Sequence, residues 1–453
     1  MIEKIEPKLR SFKKDRRGFM KKASLSLLAP VLPFSAESNV PGKERKKKKT
    51  DFALFRRQYD AIDDIYEIES NYRRMDQVNT VFNRGFWDEK VKPVLMSLVS
   101  KKMGMAPNPL KNKPGWSPVD LALASAATKA TSVTVGLRAI GATDLGILNS
   151  WETHTKEVNP SKHKFKSLAE ASKYVKRAAR FLGASDVGIA PYDERWTYSK
   201  WYDGTASILS GGEIKHVEGK FPFKVKSVIA MVHEMDYDAM KCPGAINEAA
   251  VQKEYASMAE VGFKVATFLN ELGYRCIPSG NDLGLSVPVA IQAGLGEISR
   301  MGTLIHEKYG SRIRLSKIYT DLELQPDKPI TFGVQEFCRK CKKCAIACPS
   351  QSISLETEPT KAPNTGTISS HPGVKKWYQN GETCFQYWER QGLGCGICVA
   401  VCPYNKKDNW VHDISKAVVS IPVGRDVARQ LDDAFGYGDI KPGNVEEFWN
   451  KDD

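Results

Sequence analysis

The run Cys338-x-x-Cys341-x-x-Cys344-x-x-x-Cys348-Pro349 stands out in the last third of the sequence, and a second run nearly repeats it. The second run reads Cys384, then Cys395-x-x-Cys398-x-x-x-Cys402-Pro403, and together the two runs hold eight of the ten cysteines. They differ in one place: the ten residues FQYWERQGLG separate Cys384 from Cys395. A plain repeat would have two residues there, so we expect an enlarged second loop.

This spacing is typical of bacterial two-cluster ferredoxins, in which the fourth cysteine of each run binds the other cluster. We expect each fourth cysteine to begin a helix that carries it across. The pattern then predicts one [4Fe-4S] cluster on Cys338, Cys341, Cys344 and Cys402, and a second on Cys348, Cys384, Cys395 and Cys398. A pair of zinc sites is the alternative, but zinc motifs usually join two Cys-x-x-Cys units across a longer spacer. Cys242 and Cys276 fall outside both runs, and we expect them to be buried bystanders.

Positive charge is concentrated at the start of the chain. The 453 residues carry a net charge of +14, and residues 1–57 hold 17 Lys and Arg against 6 Asp and Glu, leaving only +3 for the rest. This asymmetry indicates a basic tail and argues against a nucleic-acid-binding face. At roughly 150 residues per domain, the length allows two to four domains.

The basic start contains a twin-arginine pattern. Arg16-Arg17-Gly18-Phe19-Met20-Lys21 precedes a weakly apolar stretch, 23–34, and this order predicts an export signal within residues 1–42, with cleavage after Ala36 one option. A basic surface patch is the alternative. Lys43–Lys49 holds six positive residues that either stay solvated or lie on an anionic lipid surface. The sequence has no run of 18 apolar residues, so we expect no permanent spanning helix.

Alternating helix and strand patterns fill the middle of the chain. Ser167 and Glu170 form a capping box that opens a helix to Leu182, and a longer stripe predicts a helix over Asn247–Leu272. An Ala-rich helix is expected over 120–139. Apolar, β-branched segments predict strands at 186–190, 225–233 and 313–319. Helices that alternate with strands ahead of the predicted iron–sulfur module predict an α+β fold.

Two glycine-rich segments follow the long helix, at 278–284 and 286–297. Dense glycine indicates places where the backbone approaches a ligand closely. We therefore predict cofactor contacts at six positions: Pro278, Ser279, Gly280, Ser286, Gly294 and Gly296. Neither a Gly-x-x-x-x-Gly-Lys run nor a strand-bounded Gly-x-Gly-x-x-Gly is present, so nothing indicates a nucleotide-phosphate loop.

Taken together, the twin-arginine pattern, PSGNDLGLSVPVAIQAGLGE, RIRLSKIYTDLEL and the two cysteine runs resemble the corrinoid-dependent respiratory reductive dehalogenases. The resemblance covers nearly the whole chain, and within the family it is nearest to the chloroalkane (chloroform and trichloroethane) reductases. It implies a nitroreductase-like core that holds a cobamide with its nucleotide base off the cobalt. The sequence lacks the Asp-x-His-x-x-Gly run by which other corrinoid proteins supply a lower histidine ligand.

The resemblance also implies catalytic positions. The proton-donating tyrosine of the family matches Tyr255, its supporting arginine matches Arg314, and its pocket asparagine matches Asn281. A tyrosine is a weak acid, but an adjacent guanidinium stabilises the phenolate and so eases proton release. Without the resemblance, Tyr255 would be an aromatic core residue on its helical stripe. Arg312 remains an alternative to Arg314, since both could face inward with a small bulge between them.

The predicted domains are a signal peptide (1–42), a basic linker and cap (43–150), a corrinoid-binding core (151–330), a ferredoxin-like domain (331–410) and a tail (411–453). The predicted function is reduction of a carbon–halogen bond in a small chlorinated hydrocarbon. Epoxyqueuosine reductase and a plain electron-transfer subunit are the alternatives. The resemblance implies a twin-arginine-exported, peripheral protein on the outer face of the cytoplasmic membrane. Its partners would be a small integral membrane anchor and a membrane electron donor, quinol or a hydrogenase chain, with no nucleic acid.

Overall fold

The computed structural model describes residues 56–135, 156–202, 216–406 and 440–451. The α-helices in these ranges are α1 Val81–Trp87, α2 Lys92–Lys102, α3 Pro118–Val135, α4 Leu168–Phe181, α5 Tyr237–Met240, α6 Ala245–Glu271, α7 Ser286–Gln292, α8 Val334–Cys341, α9 Lys343–Ile346, α10 Gly381–Gln391, α11 Ile397–Ala400 and α12 Gly443–Trp449. The strands are β1 Arg57–Gln58, β2 Asp186–Pro191, β3 Lys200–Tyr202, β4 His216–Glu218, β5 Ser227–Glu234, β6 Cys276–Ser279, β7 Gly296–Ile298, β8 Leu304–His306, β9 Ile313–Thr320 and β10 Ile330–Thr331.

A four-stranded antiparallel sheet in the order β2–β5–β9–β6 forms the centre of the fold. Its three longest strands match the predicted ones to within two residues at each end. All but one residue of β5 is buried, as expected for a central strand covered on both faces. The mixture of this sheet with twelve described α-helices confirms the predicted α+β class.

Helices α4 and α6 cover one face of the sheet. Ile229 and Ile318 point from the sheet into a buried apolar cluster that includes Val175 of α4 and Val265 and Leu269 of α6. Because successive strand residues alternate between faces, this face also carries the side chains of His233 and Arg314, which are paired across β5 and β9. The polar end of this face is where the candidate site lies.

The opposite face packs against α7 and a layer of aromatic residues. Val228 and Ala230 of β5 join Ile291 of α7 in a second apolar cluster, which also includes Trp196 and Phe221. The layer draws on residues from the N-terminal cap and from the segment between β2 and β5. The central strands are therefore covered on both faces.

Helix α6 follows the predicted apolar stripe, beginning two residues earlier and ending one residue earlier than expected. The C-terminal part of the stripe is buried, from Met258 to Leu269, whereas Tyr255 is only half-buried. Helix α3 packs along α6, and the hydroxyl of Thr131 donates to the backbone carbonyl of Gln252 at 2.6 Å. The long helix is thus fixed on two sides while Tyr255 stays accessible.

The capping of α4 differs slightly from the prediction. The Ser167 hydroxyl accepts a hydrogen bond from the Glu170 N–H at 3.1 Å, as expected. The Glu170 carboxylate, however, accepts from the Lys166 N–H at 2.6 Å instead of returning to Ser167. The helix nevertheless begins and ends within one residue of the predicted limits.

Two expectations about the cysteine runs were wrong. The inserted residues 385–394 do not form a wide loop: most of them extend α10, because Asn380 caps its start by accepting from two backbone N–H groups and Gly392 ends it in a left-handed conformation. Each fourth cysteine lies just past a short helix and does not begin one. Cys348 follows α9 and Cys402 follows α11, so the turn after each helix places the fourth thiol.

A buried ion pair joins the cap to α10. Arg84 bonds to Glu382 at 2.6 Å and to Asp88 at 2.7 Å, and the side chains of Arg84 and Glu382 are 5% and 7% exposed. Burial raises the pKa of Glu382, but hydrogen bonds from Lys90, Thr367 and Arg84 outweigh it and lower the pKa to about 2. Glu382 therefore stays ionised, and Arg84 balances its negative charge.

We expect Arg84→Met to destabilise the protein by about 3 kcal/mol, because it leaves the buried Glu382 with the exposed Lys90 as its remaining ion-pair partner. Urea unfolding followed by circular dichroism measures the change. Lys264→Met is the matched control, since its partner Glu260 is more than half exposed and such pairs contribute less than about 1 kcal/mol. Equal midpoints for the two variants would contradict this ranking.

The described residues lie within one compact unit, 52–453. The twin-arginine pattern, the basic tract Lys43–Lys49 and most of the predicted C-terminal tail lie outside them, so the corresponding domain limits stay predictions. Among the described helices, none combines the length and apolar character that crossing a membrane requires.

Candidate functional site

Tyr255, Arg314 and Asn281 meet at one end of the central sheet. The Asn281 side-chain amide donates to the Tyr255 hydroxyl at 3.1 Å. The Arg314 guanidinium approaches the same oxygen at 3.5 Å, the outer limit of a hydrogen bond, and lies 4.9 Å from the centroid of the tyrosine ring. A phenolic oxygen with an amide donor and a fixed positive charge beside it is well placed to release its proton.

The geometry distinguishes Arg314 from Arg312. Arg312 is fully buried, donates to Asn405 at 3.0 Å and to the Met235 carbonyl at 2.7 Å, and pairs with Glu234. Its guanidinium therefore attaches the segment after Cys402 to the end of β5. Of the two arginines, Arg314 is the one that contacts Tyr255.

A buried lysine holds the loop that presents Asn281. Lys317 on β9 is 1% exposed, and its amine donates to the Gly280 carbonyl at 2.6 Å and to the Ser286 hydroxyl at 3.0 Å. Ser286 in turn lies 3.4 Å from the side-chain oxygen of Asn281. The loop is thus tied to the same strand that carries Arg314. Our sequence reasoning missed Lys317, although a lysine inside the strand RIRLSKIYT was a usable signal.

The other predicted cofactor positions fall into two groups. Pro278 and Ser279 are buried in β6, and the Ser279 hydroxyl donates to Asp282 at 2.9 Å, so both shape the loop that follows. Gly294 and Gly296 have positive φ, and a side chain there would meet the carbonyl oxygens of Lys328 and Ile305. These contacts are with the chain itself; a cofactor contact at either glycine stays a prediction.

Two buried nitrogen atoms beside the tyrosine lack partners among the described residues: Arg314 Nε and His233 Nδ1. His233 is 1% exposed, and its other nitrogen bonds to the Ser316 hydroxyl at 2.8 Å. Burial lowers the pKa of His233 to about 4, so the imidazole is neutral near pH 7. Buried polar atoms are costly without a partner. A ligand or an ordered water at this end of the sheet would satisfy both atoms.

A cavity of about 400 Å³ adjoins the same loop. Its walls are mainly aromatic and aliphatic, and its polar lining includes Ser286, Ser370, His371 and Lys376. Burial lowers the pKa of Lys376 to about 8, and its amine lies 4.8 Å from the centroid of the Tyr378 ring. Because Ser286 both lines the cavity and contacts Asn281, the cavity neighbours the tyrosine group.

The eight cysteines of the two runs come together as two neighbouring groups. Burial raises the pKa of Cys338, and the thiolates of Cys402 and Cys341 raise it further against a hydrogen bond from Arg300. Burial likewise raises the pKa of Cys398, followed by the charges of its own group, Cys395, Cys384 and Cys348. Cys338 is thus influenced by Cys402 and Cys341, and Cys398 by Cys395, Cys384 and Cys348. Assigning a cluster to each group stays a prediction.

A buried tyrosine hydroxyl lies near the first cysteine group. The Tyr404 hydroxyl is buried, has no partner among the described residues, and lies where the charges of Glu297 and then of Cys338, Cys402 and Cys341 act on it. A cluster sulfide would accept its hydrogen bond. Within the described ranges, no group of three or more His, Cys, Asp or Glu is arranged around a single metal ion.

Helix α6 begins beside the second cysteine group. The Glu248 carboxylate accepts from the Gly394 N–H at 3.0 Å and from the Lys102 amine at 2.7 Å, and Gly394 precedes Cys395. A side chain at Gly396 would collide with Asn247. The start of α6 and the cysteine loop are therefore packed directly together.

The two cysteines outside the runs are both fully buried. The Cys242 thiol donates to the Asn444 carbonyl at 3.2 Å, and burial raises its pKa to about 12. The Cys276 thiol donates to the Ala266 carbonyl at 3.4 Å, and burial raises its pKa well above the usual value. Such thiols are poor nucleophiles and poor metal ligands.

Comparisons with known proteins agree with this arrangement. Residues 337–405 match the family of the 4Fe-4S double cluster binding domain. A tetrachloroethene reductive dehalogenase of Desulfitobacterium hafniense is 46% identical over 327 residues, which cover 63% of this chain and 59% of that relative. An epoxyqueuosine reductase of Lactococcus garvieae is 30% identical over 129 residues, 28% of this chain and 33% of that protein.

A solved reductive dehalogenase, interpreted in terms of B12-dependent dehalogenation, shares the fold. It superposes with a TM-score of 0.63 at 22% identity, over 87% of this chain and 50% of that one. This chain thus spans little more than half the length of the proteins it matches. Across the matched region the chain is similar to reductive dehalogenases, shares their fold and carries a double [4Fe-4S] cluster binding domain.

Proposed function

We propose that this protein is a reductive dehalogenase that replaces a carbon–halogen bond of a small chlorinated hydrocarbon by carbon–hydrogen. The observation that carries the proposal is Tyr255, held between Asn281 and Arg314 on the same chain as a double cluster domain. The reaction needs two electrons and a proton at the carbon. The chain combines a route for electrons with a group that can deliver the proton.

The residues around Tyr255 fit a corrinoid. The glycine-rich loop after β6 brings Asn281 to Tyr255, and the buried Arg314 Nε and His233 Nδ1 could bond to amide groups of a corrinoid held there. When bound, a corrinoid supplies a strongly reducing cobalt centre for cleavage of the carbon–halogen bond. A cobamide with its base off the cobalt is part of the proposal because the resemblance implies it, and the sequence lacks the Asp-x-His-x-x-Gly run that supplies a histidine ligand in other corrinoid proteins.

The chain's own residues then have distinct roles. Tyr255 donates the proton from its hydroxyl, and Arg314 keeps its positive charge beside the phenolate that remains. Asn281 orients the phenolic oxygen, and Lys317 fixes the loop that carries Asn281. The mainly apolar cavity beside Ser286 suits a small chlorinated hydrocarbon, because such a substrate offers almost no hydrogen-bonding groups. The resemblance favours a chloroalkane as the natural substrate.

The alternatives are less well supported. An epoxyqueuosine reductase acts on tRNA, yet the chain after residue 57 has a net charge of only +3, little for binding a polyanion. A plain electron-transfer subunit would leave the Tyr255 group and its unpartnered polar atoms without a role. Membrane attachment by a separate anchor protein, export by the twin-arginine route and a quinol or hydrogenase donor remain part of the proposal.

The test is to purify the chain with its cofactors and measure metals and activity together. We expect one cobalt and about eight irons per chain. With reduced viologen as donor, a panel of chlorinated methanes, ethanes and ethenes should release chloride, most rapidly from the chloroalkanes. Iron without cobalt would point to an electron carrier. Cobalt and iron without chloride release, but with reduction of an epoxyqueuosine-containing tRNA, would point to the other enzyme.

A further inference from the structure

Arg300 is enclosed in the turn between β7 and β8 and is 0% exposed. Two of its guanidinium nitrogens donate to the Cys338 carbonyl, at 3.1 and 2.8 Å. A third donates to the carbonyls of Ser354 and Glu356, at 2.7 and 2.6 Å. The guanidinium carbon lies 4.5 Å from the centroid of the Trp377 ring. The side chain is therefore held rigidly by four hydrogen bonds.

All of these hydrogen bonds go to neutral carbonyl groups. Among the described residues, no carboxylate forms an ion pair with Arg300, whereas the other two buried arginines each have one: Glu382 for Arg84 and Glu234 for Arg312. Burying an unpaired charge is expensive. Since arginine does not lose its proton, a negative group close to it would offset this cost.

The cysteine group beside it is that negative group. Three of its members, Cys338, Cys344 and Cys341, exert the strongest attraction on Arg300, ahead of Glu356. A [4Fe-4S] cluster held by four thiolates carries a net negative charge, which grows by one when the cluster accepts an electron. A fixed positive charge nearby stabilises the reduced form more than the oxidised form.

We propose that Arg300 raises the reduction potential of the cluster held by Cys338, Cys341, Cys344 and Cys402. The step is the addition of one electron to this cluster, with no proton gained or lost by Arg300. The second cluster, on Cys348, Cys384, Cys395 and Cys398, lacks such a contact from Arg300. The inference rests on the cluster assignment within the proposed function, but not on the substrate or the corrinoid.

The experiment is a redox titration of the full chain with its clusters, followed by electron paramagnetic resonance without halogenated substrate. We expect Arg300→Gln to lower the potential of the Cys338 cluster and to leave the other unchanged. The equilibrium constant for accepting an electron should fall by at least about tenfold, which is 59 mV for a one-electron couple. Arg339→Gln is the control, because Arg339 is next to Cys338 in sequence but is partly exposed and paired with Glu358 at 2.9 Å.

Arg300→Lys separates charge from packing, because lysine keeps the charge but cannot make four forked hydrogen bonds. If the Lys variant has a reduction potential near that of the wild type, the proposal is supported. This holds even when the Gln variant fails to assemble its cluster. An unchanged potential in an intact Gln variant would overturn it. So would a tenfold loss in the Lys variant, or an equal shift from Arg339→Gln. These outcomes are independent of dehalogenation, so they remain distinct from a failure of the proposed function.

Discussion

Replacing Tyr255 with phenylalanine is expected to slow dehalogenation by about 10²- to 10⁴-fold, the usual contribution of general acid catalysis. The substitution removes only the hydroxyl that accepts from Asn281 and faces Arg314. The ring remains, with its place on α6 and its contact with the guanidinium. The fold, the corrinoid content and the iron content should therefore survive while proton delivery is lost.

The measurement is kcat with reduced viologen and a chlorinated alkane, on protein of verified cobalt content. Tyr274→Phe is the matched control: it removes a tyrosine hydroxyl that donates to the His163 carbonyl beyond the C-terminal end of α6, and activity should persist. Arg314→Lys should also impair turnover, since an ammonium cannot reproduce the planar guanidinium. Asn281→Ala should do less. If the Phe variant keeps its cobalt and turns over at a near-normal rate, Tyr255 is a core residue and another group donates the proton.

Replacing Cys348 with serine is expected to disrupt one cluster and spare the other. Cys348 belongs to the first run in sequence, yet its neighbours in space are Cys384, Cys395 and Cys398 of the second. Serine is a much poorer iron ligand than a thiolate, because its hydroxyl remains protonated at neutral pH. The affected cluster should therefore be the one on those four residues, while that on Cys338, Cys341, Cys344 and Cys402 remains.

Paramagnetic resonance of the reduced protein, together with iron content, measures the outcome. The signal should fall from two interacting clusters to one, with iron falling from about eight to about four per chain. Cys276→Ala is the control, since Cys276 is buried in β6 against α6, and both clusters should persist. Loss of the cluster on Cys338 instead would show that each run binds its own cluster.

Periodic and spaced patterns predicted much of this molecule. The stripe on α6 and the apolar strands gave elements whose limits agree with the structure to within two residues. The cysteine spacing predicted a crossed pair of groups because short loops constrain nearby thiols strongly. Such signals are local, so they can be recognised from the sequence alone.

What could not be predicted depends on contacts between distant segments. The strand order β2–β5–β9–β6, the attachment of Arg312 to Asn405 and the enclosure of Arg300 all join residues far apart in the chain. Gly294 and Gly296 also show what cannot be distinguished from the residue type alone. A glycine needed for a ligand and one needed for a neighbouring carbonyl look the same in the sequence. The helix in the insert was missed because its Asn380 cap precedes the segment we treated as the loop.

Helix α6 holds Tyr255 at a fixed distance from the loop of Cys395. Its first turn packs against the loop of Cys395, and Tyr255 lies eight residues beyond Asn247, or about 12 Å along the axis at 1.5 Å per residue. Adding or deleting one residue in that interval would turn Tyr255 by about 100° relative to the cysteine loop. The spacing between residues 247 and 255 therefore sets both the distance and the direction of Tyr255 relative to the cysteine loop, so this interval should tolerate no insertion or deletion.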